Sequence, residues 1–196
     1  MNTFSHILLG KLLWSCLKEE HGIVLHRRLF IRGNYTPDFS LELLSMPHYM
    51  KYWRGFVDAE LQSLSALRPP GGPVGKELSH RLGVLCHYLS DFFCRAHCED
   101  FQGGMAAHVD YERRLHQFLT KRQHHLRAAR YLSACPGDRD SLVAALDAYQ
   151  TAYRSARQTL SSDAAFSLQV CIDLMVRLLP AAAEAPAPAT AGGLAS

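Results

Sequence analysis

Two histidine–carboxylate pairs stand at helical spacing in residues 87–112, HYLSDFFCRAHCEDFQGGMAAHVDYE: His87-x-x-x-Asp91 and His108-x-x-x-Glu112, with His97 between them. On a helix, positions four apart lie only about 40° apart around the axis, so each pair converges on one face. An imidazole nitrogen beside a carboxylate oxygen makes a donor set of borderline hardness, suited to Zn²⁺ or a similar divalent ion. His97 falls roughly 9 Å of rise beyond Asp91 and points in another direction. It therefore suits a second ion, held with His108 and Glu112, better than the first. This spacing predicts a multinuclear site built on two adjacent helices. A single such pair is ordinarily a surface contact worth a few tenths of a kcal/mol. Here Leu85, Tyr88, Leu89, Phe92 and Phe93 surround the first pair, and a buried imidazole or carboxylate without partners is costly. The metal reading leads.

The elements that must position these groups read as helices throughout. Apolar residues at Ile7, Leu8, Leu12, Leu13 and Leu17 give a helix over residues 3–20, capped by Thr3, with His6 exposed in its first turn and Gly22 as its stop. Residues 23–32 read as a short helical or extended piece, and Gly33 to Asp38 as a loop that presents Asp38. Pro47 suits the first turn of a helix, with His48 just inside it, running to about residue 67. Arg68 to Pro73 reads as a surface connection. The central helix is expected over residues 75–98, with Gly83 permitting a close helix contact. The helix bearing His108 and Glu112 is expected to reach about residue 130, with a break near Gln123 and a stop at Pro136-Gly137. Two more follow, over residues 140–158 and 163–179, the last capped by Ser162. No period-2 alternation appears, so the fold class is all-α, a multi-helix bundle. Residues 1–179 form one domain, and the Ala/Pro-rich residues 180–196 are expected to be a disordered tail.

Composition narrows the function less than the spacing does. The chain has 196 residues, 48% hydrophobic and 20% charged, with a formal charge of +3, too small to argue for nucleic acid by itself. Eleven histidines are the anomaly. The six cysteines (Cys16, Cys86, Cys94, Cys98, Cys135, Cys171) read as core thiols. Cys94-x-x-His97-Cys98 lacks the second Cys/His pair that a zinc thiolate cluster needs. No signal peptide or membrane span is evident at the N-terminus, so a cytoplasmic location is expected. The basic segment 113–130 reads first as a solvated helix face and second as a phosphate or membrane-surface patch. His80 reads as a core or supporting histidine, His26, His116, His124 and His125 as solvent-facing, and Trp14 and Trp53 as core anchors.

Taken in order, Ser5-His6, Pro37-Asp38, His48, His87-x3-Asp91-x5-His97 and His108-x3-Glu112 resemble the zinc-dependent phospholipase C family, itself similar in fold to the P1-type nucleases. The resemblance covers roughly residues 3–120. It implies that Asp38, His48, His87 and Asp91 hold one zinc, and His97, His108 and Glu112 a second. His6 would join a bridging Asp91 on a third. It further implies a zinc-bound water attacking phosphorus, with Asp38 as general base. Secreted members give the amino group and carbonyl of a processed N-terminal tryptophan to the third zinc. Here residue 1 is Met and five residues precede His6, so two zinc ions are expected and the third site is open. Phe39 follows Asp38, but Ser45 stands three before His48, where an aromatic of the choline pocket belongs. The expected activity is zinc-dependent phosphoester hydrolysis, with phospholipid at a membrane surface as one substrate. A P1-type nuclease or nucleotidase using segment 113–130 as its groove is the alternative, and a non-catalytic helical zinc-binding module a third reading.

Overall fold

The computed structural model describes residues 1–39, 48–67, 72–129, 131 and 142–179. Among these are seven α-helices and two 3-10 turns, and no strand. The helices are α1 (Thr3–His21), α2 (Arg27–Gly33), α3 (Met50–Ala66), α4 (Lys76–Phe92), α5 (Gly104–Ala128), α6 (Leu142–Ser155) and α7 (Leu160–Leu178). The turns are Thr36–Phe39, after α2, and Arg95–His97, after α4. Ser45, Pro47, the 68–71 part of the connection, Cys135, Pro136-Gly137 and the expected tail at 180–196 lie outside the described residues. Among the described residues no helix is long and apolar enough to cross a membrane.

The centre of the bundle is α4, which packs against α2, α7, α3 and α1. Its second half is buried without interruption from Leu85 to Phe92, as befits a helix covered on all sides. Two glycines set its closest approach. A Cβ on Gly83 would stand 2.2 Å from the Phe30 carbonyl oxygen, and one on Gly33 would stand 2.2 Å from that of His80. The expected close contact at Gly83 is therefore present, and Gly33 is its counterpart.

Several expected boundaries move, each for a local reason. The N-cap of α1 is Asn2, whose side chain accepts from the Ser5 N–H, and Gly22 ends the helix at φ 65°. His6 is fully buried rather than exposed, because α1 turns that face inward. The central helix stops at Phe92 instead of continuing to 98. There Asp163 accepts the Arg95 backbone N–H at 2.8 Å and draws the chain into the 3-10 turn. The same carboxylate accepts the hydroxyls of Tyr111 and Tyr153, both at 2.8 Å. α3 begins at Met50 with Tyr49 as an extended cap, so His48 precedes the helix. α5 runs unbroken through Gln123. Thr159, not Ser162, caps α7, and the two form a capping box. His26 caps α2, His116 is half-buried with its ring 6.0 Å from that of Phe4, and Trp14 and Trp53 are half-buried. Of the expected core thiols, Cys16, Cys86, Cys94 and Cys171 are buried, and Cys98 is partly so.

Candidate metal centre

Six elements, not two adjacent helices, bring the donors together. α1 supplies His6, the Thr36–Phe39 turn supplies Asp38, and the residues before α3 supply His48. His87 and Asp91 come from α4, His97 from its following turn, and His108 and Glu112 from α5. All eight expected side chains fall into three sets whose ligand atoms lie within 4.8 Å of one another: His6–His87–Asp91, Asp38–His48–His87 and His97–His108–Glu112. The sequence expectation differs in two respects: His87, not Asp91, is common to the first two sets, and Asp91 is not in the set formed by Asp38, His48 and His87.

Asp91 is the hub. Its Oδ2 lies 3.1 Å from His48 Nδ1 and 3.4 Å from His87 Nε2, and its Oδ1 lies 3.2 Å from His6 Nε2. Glu112 organises the other side, with Oε1 3.0 Å from His97 Nε2 and 3.1 Å from His108 Nε2. The imidazoles are aimed by contacts on their far sides. The His87 Nδ1–H donates to the Asn34 carbonyl at 2.9 Å, which leaves Nε2 bare and turned to the cluster. His97 Nδ1 faces the His48 carbonyl at 3.2 Å. The Thr3 hydroxyl donates to Asp38 Oδ2 at 2.8 Å and steadies that carboxylate.

The amino group of Met1 sits inside this cluster. It bonds Asp91 Oδ1, lies 2.8 Å from His97 Nε2 and stands 3.3 Å from Glu112 Oε1. Burial works against its charged form, yet Asp91, with Cys94 and Glu112 behind it, holds its pKa up to about 12. Against the upward push of burial, His97 and the Met1 ammonium hold Asp91 well below the usual carboxylate range. The Met1 ammonium and the His108 contact do the same for Glu112. Burial, followed by His6, drives His87 far down, and burial lowers His97. Those two rings are therefore neutral at pH 7, with a lone pair free to bind.

The residues fit Zn²⁺. Five imidazoles and three carboxylates make the nitrogen–oxygen set that this ion accepts. Among the described residues the buried His6 Nε2 makes no hydrogen bond, although Asp91 Oδ1 lies 3.2 Å away, so its lone pair is available to a cation. His48 Nδ1 and His87 Nε2 approach to 3.0 Å, so either a proton on His48 or a metal ion lies between the two nitrogens. Met1, Thr3 and Asn34 were not found by spacing, because an amine, a hydroxyl and a main-chain carbonyl carry no motif. His80 supports the site only at a distance, with Nε2 3.3 Å from the Thr36 hydroxyl oxygen.

Aromatic and apolar side chains flank the cluster. Trp53 stacks on Tyr88 at 4.8 Å, and both rings stand edge-on to His48. Phe39 follows Asp38 and is exposed, as are Phe4, Met105 and Val109. A cleft of about 430 Å³ opens beside His97, lined by Lys51, Phe92, Gln150 and Arg154 among others.

The chain matches the family model for zinc dependent phospholipase C over residues 5–161. It belongs to that family, and the match extends past the 3–120 span legible from motifs. No curated protein and no solved structure matches the chain.

Proposed function

We propose that this protein is a phospholipase C-like hydrolase that cleaves a phosphodiester of a phospholipid, with zinc held by the eight clustered side chains. The observation that carries the reading is Asp91. It is one fully buried carboxylate, facing His6, His48 and His87 at once, a position that only several cations or protons could satisfy. Asp38, His48, His87 and Asp91 would hold one ion, and His97, His108 and Glu112 a second. His6, Asp91 and the Met1 amino group offer donors for a third.

Zinc, when bound, supplies a Lewis acid that lowers the pKa of water toward neutrality and neutralises phosphate oxygens. The chain's own residues do the rest. Asp38, held by Thr3 at the edge of the cluster, accepts the proton from the attacking water. The buried neutral rings of His87 and His97 keep their lone pairs toward the centre. Exposed Phe39, next to Asp38, and Val109, next to His108, suit a substrate that carries acyl chains.

The basic segment favours a solvated face over a nucleic-acid groove. Arg113 and Arg114 are paired with Asp110, and Arg127 with Glu19.

Metal analysis of the purified protein, followed by hydrolysis assays on a chromogenic phosphorylcholine ester, mixed-micelle phospholipids and single-stranded DNA, tests the proposal. The expected result is bound zinc and phospholipid turnover, lost by about 100-fold or more in Asp91→Asn. Folded protein free of zinc after growth and assay in zinc would end the proposal. Tight zinc with no turnover would leave a binding module.

A further inference from the structure

Helix α1 brings Met1 and His6 to the metal centre, and its other end carries a separate set of donors. Cys16, Glu20 and His21 place a sulfur, a carboxylate oxygen and a ring nitrogen within 4.8 Å of one another. At 1.5 Å per residue, Cys16 stands about 15 Å along the axis from His6, so the two sets cannot share an ion. Cys16 is buried, Glu20 is exposed and His21 is half-buried, which leaves an approach from solvent. Tyr131 lies beside Cys16 and Glu20.

Two observations point to a cation there. His21 Nε2 is shielded from solvent and has no hydrogen-bond partner among the described residues. A buried polar atom in that state is costly, and coordination would satisfy its lone pair. The field has the same sign. α1 ends at His21, and the last turn of a helix presents the negative end of its dipole. Glu20 adds a full negative charge, whereas the neighbouring Glu19 is already engaged by Arg127.

We propose that Cys16, Glu20 and His21 bind one Zn²⁺ in an accessory site distinct from the metal centre, with its fourth position open to water. Sulfur, nitrogen and oxygen donors together suit this ion. Tetrahedral bond lengths bring such ligands to roughly 3.5 Å from one another, so side-chain rotation of the exposed Glu20 and half-buried His21 is enough to close the site. Burial and the Glu20 carboxylate keep the Cys16 thiol protonated in the absence of an ion. Binding therefore breaks the S–H bond, forms the S–Zn bond and releases one proton to solvent.

Cobalt substitution separates the two sites. The metal centre offers only nitrogen and oxygen donors, so a near-ultraviolet sulfur-to-cobalt charge-transfer band reports a thiolate ligand. The full-length protein, stripped by chelator and titrated with Co²⁺, is expected to show that band. Cys16→Ser is expected to lose it together with one equivalent of bound metal, while phosphoester hydrolysis by the zinc-loaded variant is unchanged. Glu20→Gln and His21→Asn alter only partly or fully exposed residues and are expected to shift the band's appearance to higher Co²⁺ concentration. No band at saturating Co²⁺ overturns the proposal, as does a band that persists in Cys16→Ser and so belongs to another thiol. Should Cys16→Ser fail to fold, an unchanged titration in both other variants overturns it equally. None of these results bears on whether the metal centre binds zinc.

Discussion

The carbonyl oxygen of Asn34 lies 2.9 Å from His87 Nδ1, and this contact exists because Gly33 and Gly83 let α2 and α4 touch. It fixes which nitrogen of His87 faces the centre. Gly83→Ala would place a methyl group 2.2 Å from the Phe30 carbonyl oxygen, and backbone does not yield as a flexible side chain does. We expect a loss of about 1–3 kcal/mol in denaturant unfolding, accompanied by a roughly 10- to 100-fold weaker zinc affinity in a chelator competition. A variant that unfolds earlier yet binds zinc as wild type does would separate the helix contact from the orientation of His87.

The Met1 amino group is fully buried against Asp91 and Glu112. A residue added ahead of Met1 converts this amine to an amide, removes its charge and needs space that the cluster does not offer. Such an extension is expected to cost about 1–3 kcal/mol of stability in the metal-free protein and to change metal stoichiometry or affinity. An extended protein identical to the unextended one in melting and zinc content would show that the amine contributes nothing.

Stability of the metal-free protein should depend on pH in a calculable direction. His87 and His97 are held below their ordinary 6.5. Asp91 and Glu112 are held below 3.8 and 4.5. All four bind fewer protons folded than unfolded, so stability rises with pH across their windows. The histidine contribution is present above 6.5 and is lost as pH falls below it. The carboxylate contribution is present above the ordinary carboxylate values and is lost as pH falls further. The Met1 amine, raised from 8.0 to about 12, contributes fully below 8.0 and loses its contribution as pH rises toward 12. The melting temperature is thus expected to peak between about pH 6.5 and 8 and to fall on both sides. A metal-free melting temperature higher at pH 5 than at pH 7 would contradict these ionisation states.

Asp163 ties α7 to the turn that carries His97, through Tyr111, Tyr153 and the Arg95 N–H. Asp163→Ala strands all three donors. We expect about 2–4 kcal/mol of destabilisation, with Asp163→Asn, which keeps an acceptor, milder. Equal melting curves for wild type and Asp163→Ala would remove this junction from the account.

Five of the candidate donors, His87, Asp91, His97, His108 and Glu112, were legible from imidazole and carboxylate spacing, whereas His6, Asp38 and His48 came only from the family resemblance, since a turn and a stretch before a helix carry no periodic signal; the all-helical fold followed from apolar periodicity. What lay outside that signal was long-range. The central helix should have run on past Phe92 by local propensity alone, and only a carboxylate about seventy positions later, at Asp163, accounts for the turn. His6 looked exposed because a first-turn residue usually is, whereas α1 turns it into the centre. The Met1 amine carried no pattern, and its role rests entirely on where the Asn2 cap aims the residue before it.

Phe39 and Val109, next in sequence to Asp38 and His108, leave oily side chains in water, as do Phe4 and Met105. In concentrated aqueous solution such exposure gives one molecule something to stick to on the next. Detergent micelles that blanket those side chains would therefore keep the protein monodisperse, and on the proposed function they would carry its substrate as well.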